Sequence, residues 1–408
     1  MAKIGELFLG GKEPGIPGSE QYICGIAFPL NQDVDIDFIW ESLDSSWNVE
    51  LKKNHQYAVA KSRIAQSYDS LVLNGLEQIQ RCLDIVAAKK LGLITVDHPE
   101  SSYIVLFQDG NQIFLRHHVI HKLGIATNFT VVVKDKDGNI KPQPPIPEPR
   151  WTAPFRYYRL SQTSQNIYEA YRNLYLSFEA TLNEVCPRLP HEHEGVWVKR
   201  SLESIRTNVN LQAYAPTGLN PIDYLFQTQY EGMRCKLFHA KFPDAILPFE
   251  QINPTEVLSA YENLLRLWRE IAQNYFQLSQ GGGVFTYSGF KFLMDAAFKK
   301  PFSIQFTADN SPANKDDTKV SPCGLPTFQF NTHNYLSETR PGIVSYIGEI
   351  EILAVHTTLV IHRICTIQEE VLTLIDSIRD GLCPSGVDVF QSYQSMMLVN
   401  SGQPKTSF

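Results

Sequence analysis

"IKPQPPIPEPR", residues 140–150, carries five prolines. Proline fixes its own φ and lacks a backbone donor, so this stretch can be neither helix interior nor central strand. It reads as an extended, semi-rigid linker, and the chain changes period across it. Strand-like and mixed patterns precede it, and long helical patterns follow it. The 408 residues therefore divide into an N-terminal α+β domain (1–140), a Pro-rich linker (141–150), a helical region (151–280) and a C-terminal segment of mixed α/β pattern (284–408).

On the N-terminal side, "YICGIAF" (22–28) is β-branched and aromatic and predicts a strand. Residues 56–91 predict a helix, with Ile64, Tyr68, Leu71, Val72, Leu76, Ile79, Leu83 and Val86 on one side and Gly92 as its stop. In "SYIVLFQDGNQIFLRHHVI" (102–120) two apolar runs flank Asp109-Gly110, a strong hairpin signal, and Asp137-Gly138 offers a second turn. In the C-terminal segment, "FSIQFTA" (302–308) and "PTFQFNT" (326–332) alternate as strands do, with a polar loop between them. Residues 347–365 fit strand or helix, and "IQEEVLTLIDSIRD" (367–380) predicts a helix stopping at Gly381.

Between these segments the apolar residues recur at three and four. Ile167, Tyr171, Leu174, Phe178, Leu182 and Val185 mark one helix, and Val198, Leu202, Ile205 and Val209 a second. The third opens at Asn220-Pro221, cap then first-turn proline, and runs to about Lys241. The fourth opens at Asn253-Pro254-Thr255-Glu256, close to a capping box, and ends at Gly281. Four helices with short connections predict a bundle. The fold class expected is α+β multidomain, with a central four-helix bundle flanked by an N-terminal α+β domain and a C-terminal β-containing segment.

Composition narrows the function. The net charge is −7, and residues 151–280 hold 12 Lys+Arg against 13 Asp+Glu, which argues against avid, sequence-indifferent phosphate binding. The seven cysteines include no C-x-x-C pair, so a zinc ribbon is not expected and reduced thiols are. The opening "MAKIGELFLGGKEPG" has no apolar run of leader length, and no run reaches the ~18 residues of a membrane span. A cytoplasmic protein without membrane segments is expected. No phosphate-binding glycine loop, dinucleotide fingerprint or G-x-S-x-G motif occurs, and no cofactor is expected.

On the third helix, "EGMRCKLFHAK" (231–241) sets Arg234 and His239 five apart. At α-helical pitch Ile222, Phe226, Tyr230, Met233 and Leu237 form the core stripe, while Arg234 and His239 lie about 140° apart and flank a ridge. Phe238 falls off the core stripe, so another segment or a partner subunit must cover it. With Cys235 it is a candidate two-fold interface.

A helical bundle with Arg, four residues and His late in its third helix resembles the HEPN superfamily, over about 151–280. The resemblance implies a metal-independent endoribonuclease whose Arg234 and His239 meet those of a second subunit at a homodimer interface, with RNA as substrate and no metal or other cofactor. It also implies a prokaryotic defence or toxin-like setting. Histidine can move a proton between the ribose 2′-OH and the leaving oxygen, and arginine can hold the phosphate. Catalytic members commonly carry Asn, Asp or His after the Arg; here that position is Cys235. The competing expectation is a non-catalytic scaffold, in which Arg234 pairs with an acid such as Glu231 and His239 ends a helix.

Three further clusters carry residues of site type. "RHHVIH" (His117, His118, His121) reads as surface histidines on a hairpin, since a metal would need a ligand from elsewhere. "PHEHEG" (190–195) reads as a solvated loop before the second helix. "DVDID" (33–37) reads as an exposed strand or turn lacking the Gly and Glu of a calcium loop. Cys235 with His239 one turn away is a remote Cys/His pairing.

Overall fold

The computed structural model describes residues 2–10, 22–97, 99, 101–125, 132–140, 149–164, 166–241, 245–248, 254–278, 287–314, 316–337, 343–353 and 358–400. The first part of the chain supplies strands β1 (Ala2–Ile4), β2 (Leu7–Phe8), β3 (Cys24–Pro29), β4 (Phe38–Glu41), β5 (Trp47–Leu51) and β6 (Tyr57–Ser62), helix α1 (Tyr68–Ala88), and strands β7 (Ser102–Asp109) and β8 (Gln112–Ile125). Helices follow: α2 (Ala153–Thr163), α3 (Ile167–Val185), α4 (Glu194–Ile205), α5 (Pro221–Leu225), a π-helical segment (Phe226–Arg234), α6 (Cys235–Phe238) and α7 (Pro254–Phe276). The last part supplies helix α8 (Tyr287–Phe298) and strands β9 (Phe302–Thr307), β10 (Thr327–Gln329), β11 (Thr332–Ser337), β12 (Ile343–Glu351), β13 (Ile361–Gln368), β14 (Val371–Pro384) and β15 (Val389–Asn400).

Two compact units result. Met1–Leu123 and Phe285–Leu398 build one, and Gly124–Val284 with the terminal residues from Val399 build the other. In the first unit the two ends of the chain interleave. A six-stranded sheet runs β10-β9-β13-β14-β1-β2, and a nine-stranded sheet runs β11-β12-β15-β8-β7-β3-β6-β5-β4. β1 adds antiparallel to β14, with Lys3 opposite Cys383, and β15 lies beside β8.

The period of two sorts side chains onto two cores. Val59, Ile104 and Leu106 point into the core shared with Phe306, Ile364 and Phe390, while Ala60, Val105 and Phe107 point into the core under α1. α1 opens at Ser67, whose side chain accepts from the Ser70 amide. The Asp109-Gly110 turn joins β7 to β8, with Gly110 at φ 58°.

These sheets overturn the expected architecture. Fifteen strands among the described residues and their long-range pairing make a sheet-rich α+β fold, not one centred on a four-helix bundle with separate flanking domains. The physical reason is that β1 and β2 complete a sheet whose other strands all lie beyond residue 300, and β8 has β15, from Val389 on, as its outer neighbour, which local periodicity does not record. Two local readings change with it. Residues 367–380 form a hairpin, not a helix: Glu369 and Glu370 turn at φ 50° and 66° between β13 and β14. The helix expected over 56–91 is split, with strand β6 first and α1 from Tyr68. Most of the Pro-rich linker, the cap at Asn253 and the stop at Gly281 lie outside the described residues.

In the helical unit, α3 opens at Asn166, whose side chain accepts from the Glu169 amide. Asn220 caps α5 in the same way through the Ile222 and Asp223 amides, with Pro221 in the first turn. Tyr171, Leu174, Trp197, Leu202, Leu264 and Trp268 are buried together, and Trp268 Nε1 donates to Thr181 Oγ1 at 3.0 Å.

Candidate active site

The helix that carries Arg234, running from α5 through the π-helical segment to α6, is not a regular α-helix. From Phe226 to Arg234 its hydrogen bonds reach five residues back, as in Cys235 N–H to Tyr230 O, so each turn is wider. Buried Gln229 lies in this segment, and Tyr171 of α3 is in hydrogen-bond reach of both its carbonyl (3.0 Å) and its side-chain oxygen (2.9 Å). The Gln229 amide in turn donates to the Ala260 carbonyl of α7 at 3.2 Å. The wide turn is therefore braced from two neighbouring helices.

The helix ends at Phe238, and His239 leaves it at φ −124°, ψ 87°. Arg172 of α3 fixes that end: its Nε and Nη2 donate to the Leu237 carbonyl at 3.2 and 2.6 Å, a cation at a helix C-terminus. The departure from helical dihedrals carries the imidazole back toward Arg234. Arg234 Nη1 lies 3.1 Å from His239 Nε2, so the two side chains that α-helical pitch places on either side of a ridge are in contact. With arginine as the donor, Nε2 is the acceptor and the imidazole is the neutral Nδ1–H tautomer.

Arg234 is tightly enclosed. Its side chain is 12% exposed, and its guanidinium carbon lies 5.3 Å from the Tyr230 ring centroid, 5.5 Å from Phe238 and 6.0 Å from Tyr175. Nη2 sits 2.6 Å from Oε1 of Glu194, the first residue of α4. The approach is close without hydrogen-bond alignment, for Glu194 Oε1 and Arg234 Nε are both buried with no hydrogen-bond partner. α4 comes this near because its second residue is Gly195, where a Cβ would stand 3.1 Å from the Phe226 ring. Glu179 of α3 lies within electrostatic reach of Glu194, and burial, then the Glu194 charge, pushes its carboxyl up to about 7.

The structure thus brings Arg234 and His239 together and adds two carboxyls. Phe238 is half-buried against Tyr175 at 6.0 Å between ring centroids, so α3 covers part of it. Cys235 is a half-buried free thiol. Glu231 is exposed, and the arginine's acid is Glu194 instead. Glu194 was visible in "PHEHEG" as a loop residue. Glu179, four residues after Tyr175 on α3, sends no sequence signal that would distinguish it from a surface acid.

The other clusters are structural. His117 is buried rather than superficial: Nε2 lies 2.7 Å from Asp376 Oδ2 of β14 and Nδ1 lies 3.3 Å from Ser392 Oγ of β15. The Ser–His–Asp order is suggestive, but Ser392 is fully buried and no substrate carbonyl could reach it. Burial, then His117 and Arg116, drives the His118 imidazole down to about 4. In "DVDID", Asp33 pairs with Arg379 at 2.7 Å and Asp37 accepts from the Lys53 amide at 3.0 Å. No three His, Cys, Asp or Glu side chains gather as a metal group among the described residues, and no helix there is long and apolar enough to cross a membrane. No family model matches the chain, no curated protein matches it, and no solved structure matches its fold.

Proposed function

We propose that the helical unit is a metal-independent endoribonuclease centre of HEPN type, with Arg234 holding the scissile phosphate and His239 moving the proton. The observation that carries the reading is the 3.1 Å contact between Arg234 Nη1 and His239 Nε2, made by a helix that widens before Arg234 and ends before His239. Cleavage by a 2′-OH needs a phosphate-holding cation and a proton acceptor side by side, the acceptor within hydrogen-bond reach of the hydroxyl, and the arrangement of this pair fits that need.

In the reaction the ribose 2′-oxygen attacks phosphorus, Arg234 Nη1 shifts from His239 onto the phosphoryl oxygens to balance the charge gathering there, and the freed Nε2 lone pair takes the 2′-OH proton. The P–O5′ bond breaks, and O5′ takes a proton from His239 of the partner subunit in a homodimer, which enters as the imidazolium, so one imidazole gains the proton that the other gives up. The products are a 2′,3′-cyclic phosphate and a 5′-OH. A restrained enzyme of a prokaryotic defence or toxin-like system fits a helical unit whose key arginine is held by an acid. The same Arg234–Glu194 ion pair favours the second reading, a non-catalytic scaffold.

The test is single-stranded RNA incubated in EDTA with the full chain and with His239→Ala. Cyclic-phosphate ends from the wild type, reduced ~10²–10⁴-fold in the variant, are expected. Equal cleavage by both overturns the site, and cleavage by neither favours the scaffold.

A further inference from the structure

Glu194 is the residue that any phosphate at Arg234 must reckon with, and the inference rests on the reading of that arginine as the phosphate holder. We propose that Glu194 is a displaceable guard: a substrate phosphodiester takes its place on the guanidinium, and the displaced carboxylate is retained by Glu179.

Three observations carry this. First, the Arg234–Glu194 contact is close but misaligned. Oε1 is 2.6 Å from Nη2, yet Oε1 makes no hydrogen bond, and Arg234 Nε is buried without an acceptor. A phosphodiester offers two oxygens to the Nε and Nη2 edge of a guanidinium and would satisfy the donor that Glu194 leaves idle. Second, Nη1 already faces His239 Nε2 at 3.1 Å, so an anion on the other edge would stand beside the proton acceptor. Third, Glu194 has somewhere to go. Glu179 on the neighbouring helix α3 is within electrostatic reach of Glu194, and burial and the Glu194 charge hold its carboxyl toward the neutral form, so a protonated acid stands ready to take the displaced carboxylate.

The charge count gives the consequence. With Glu179 protonated, Arg234 and Glu194 cancel; with Glu179 ionised, the cluster is already negative before an anion arrives. Anion binding is therefore linked to proton uptake at Glu179 and weakens as pH rises through the range near 7 to which that carboxyl is raised. The other groups facing the pair are Tyr175 on the same helix, Arg188 in the α3–α4 connection, and Tyr230, Cys235 and His239 around Arg234. His239 can take up a proton of its own, so its share must be removed in the test.

The probe is a single-stranded 2′-deoxyoligonucleotide, which carries phosphodiesters but cannot be cut by 2′-OH attack. Its binding to the full chain is followed by fluorescence anisotropy from pH 6 to 8, for His239→Gln as reference and for the same chain with Glu194→Gln or Glu179→Gln, circular dichroism checking the fold. Glu194→Gln should bind about tenfold tighter at pH 8, equivalent to ~1.4 kcal/mol. Glu179→Gln should lose the pH dependence that the reference shows, which one proton limits to about tenfold per pH unit. Binding by Glu194→Gln no tighter than the reference, or an unchanged pH slope in Glu179→Gln, overturns the guard, including the case in which nothing binds. Tighter binding without any cleavage of RNA by the wild type keeps the anion site and removes the nuclease. Cleavage of RNA with no effect of Glu194→Gln keeps the nuclease and removes the guard.

Discussion

The β13–β14 turn offers a sharp test of how this fold holds an unfavourable sequence. Glu369 and Glu370 both sit in the left-handed region, at φ 50° and 66°, where a non-glycine residue costs ~1–2 kcal/mol. Asn-Gly is the pair this two-residue turn prefers. Replacing Glu369-Glu370 by Asn-Gly relieves roughly 2–4 kcal/mol of backbone cost. Against it stand two losses. The Lys300–Glu369 bridge, 2.8 Å long with side chains 40% and 57% exposed, is worth at most ~1 kcal/mol after solvent screening. Glycine's extra freedom in the unfolded chain costs ~0.5–1 kcal/mol more. Strain relief wins, and the double variant is expected to stabilise the sheet unit by about 1 kcal/mol, raising its melting temperature by ~2–4 °C. Thermal melting followed by circular dichroism in the strand region measures this, with Lys300→Ala run in parallel to isolate the bridge. A melting temperature unchanged or lowered in the double variant, with Lys300→Ala neutral, refutes the reasoning.

Two further outcomes test the interleaved sheets. A chain ending at residue 286 lacks α8 and β9–β15 and uncovers Ile4, Leu7, Leu9, Ile104, Leu106 and Leu115, at ~1.5–3 kcal/mol each, a sum as large as an ordinary domain's whole ~5–15 kcal/mol of stability. It should show helix but no cooperative strand melting, and a folded sheet signal from it would refute the joint assembly. Burial raises the Asp376 carboxyl, but the hydrogen bond and charge of His117 outweigh burial and hold it below the ordinary carboxylate value. A depressed carboxyl contributes stability above its unfolded value and loses it as pH falls through the folded one. Asp376→Asn should therefore destabilise the wild type's sheet unit at pH 7, with the gap closing below about pH 4 in urea titrations; a gap that is constant with pH counts against the pair.

The sequence made some of this readable and hid the rest for physical reasons. Asn166, Asn220 and Pro221 announce helix starts because capping is a local event, and Asp109-Gly110 announces a hairpin for the same reason. Glu369-Glu370 conceals a hairpin because the turn is held by its strands rather than by its own preference. The alternation of "VLTLIDSIRD" also fits a helix face, and what makes it strand is β1 and β13 on either side, neither of which a local window contains. At the candidate site the five-residue spacing was legible, but its geometry was not. Regular pitch separates Arg234 from His239, and the π-helical turn with Arg172 on the Leu237 carbonyl joins them. His117 looked superficial because its partners Asp376 and Ser392 are more than 250 residues away.

The interleaving has a consequence on the ribosome. A nascent chain emerges at ~5–20 residues per second, so at least several seconds separate the appearance of α7 from that of β15. The helices from α2 to α7 can pack as soon as they emerge, since they contact one another within one continuous stretch. β8 and β1 must wait for partners not yet made, their edges open. Synthesis therefore runs through a stage in which the helical unit is complete and the sheet unit is half a structure, and it is in that interval that the growing chain most needs a chaperone at its N-terminal strands.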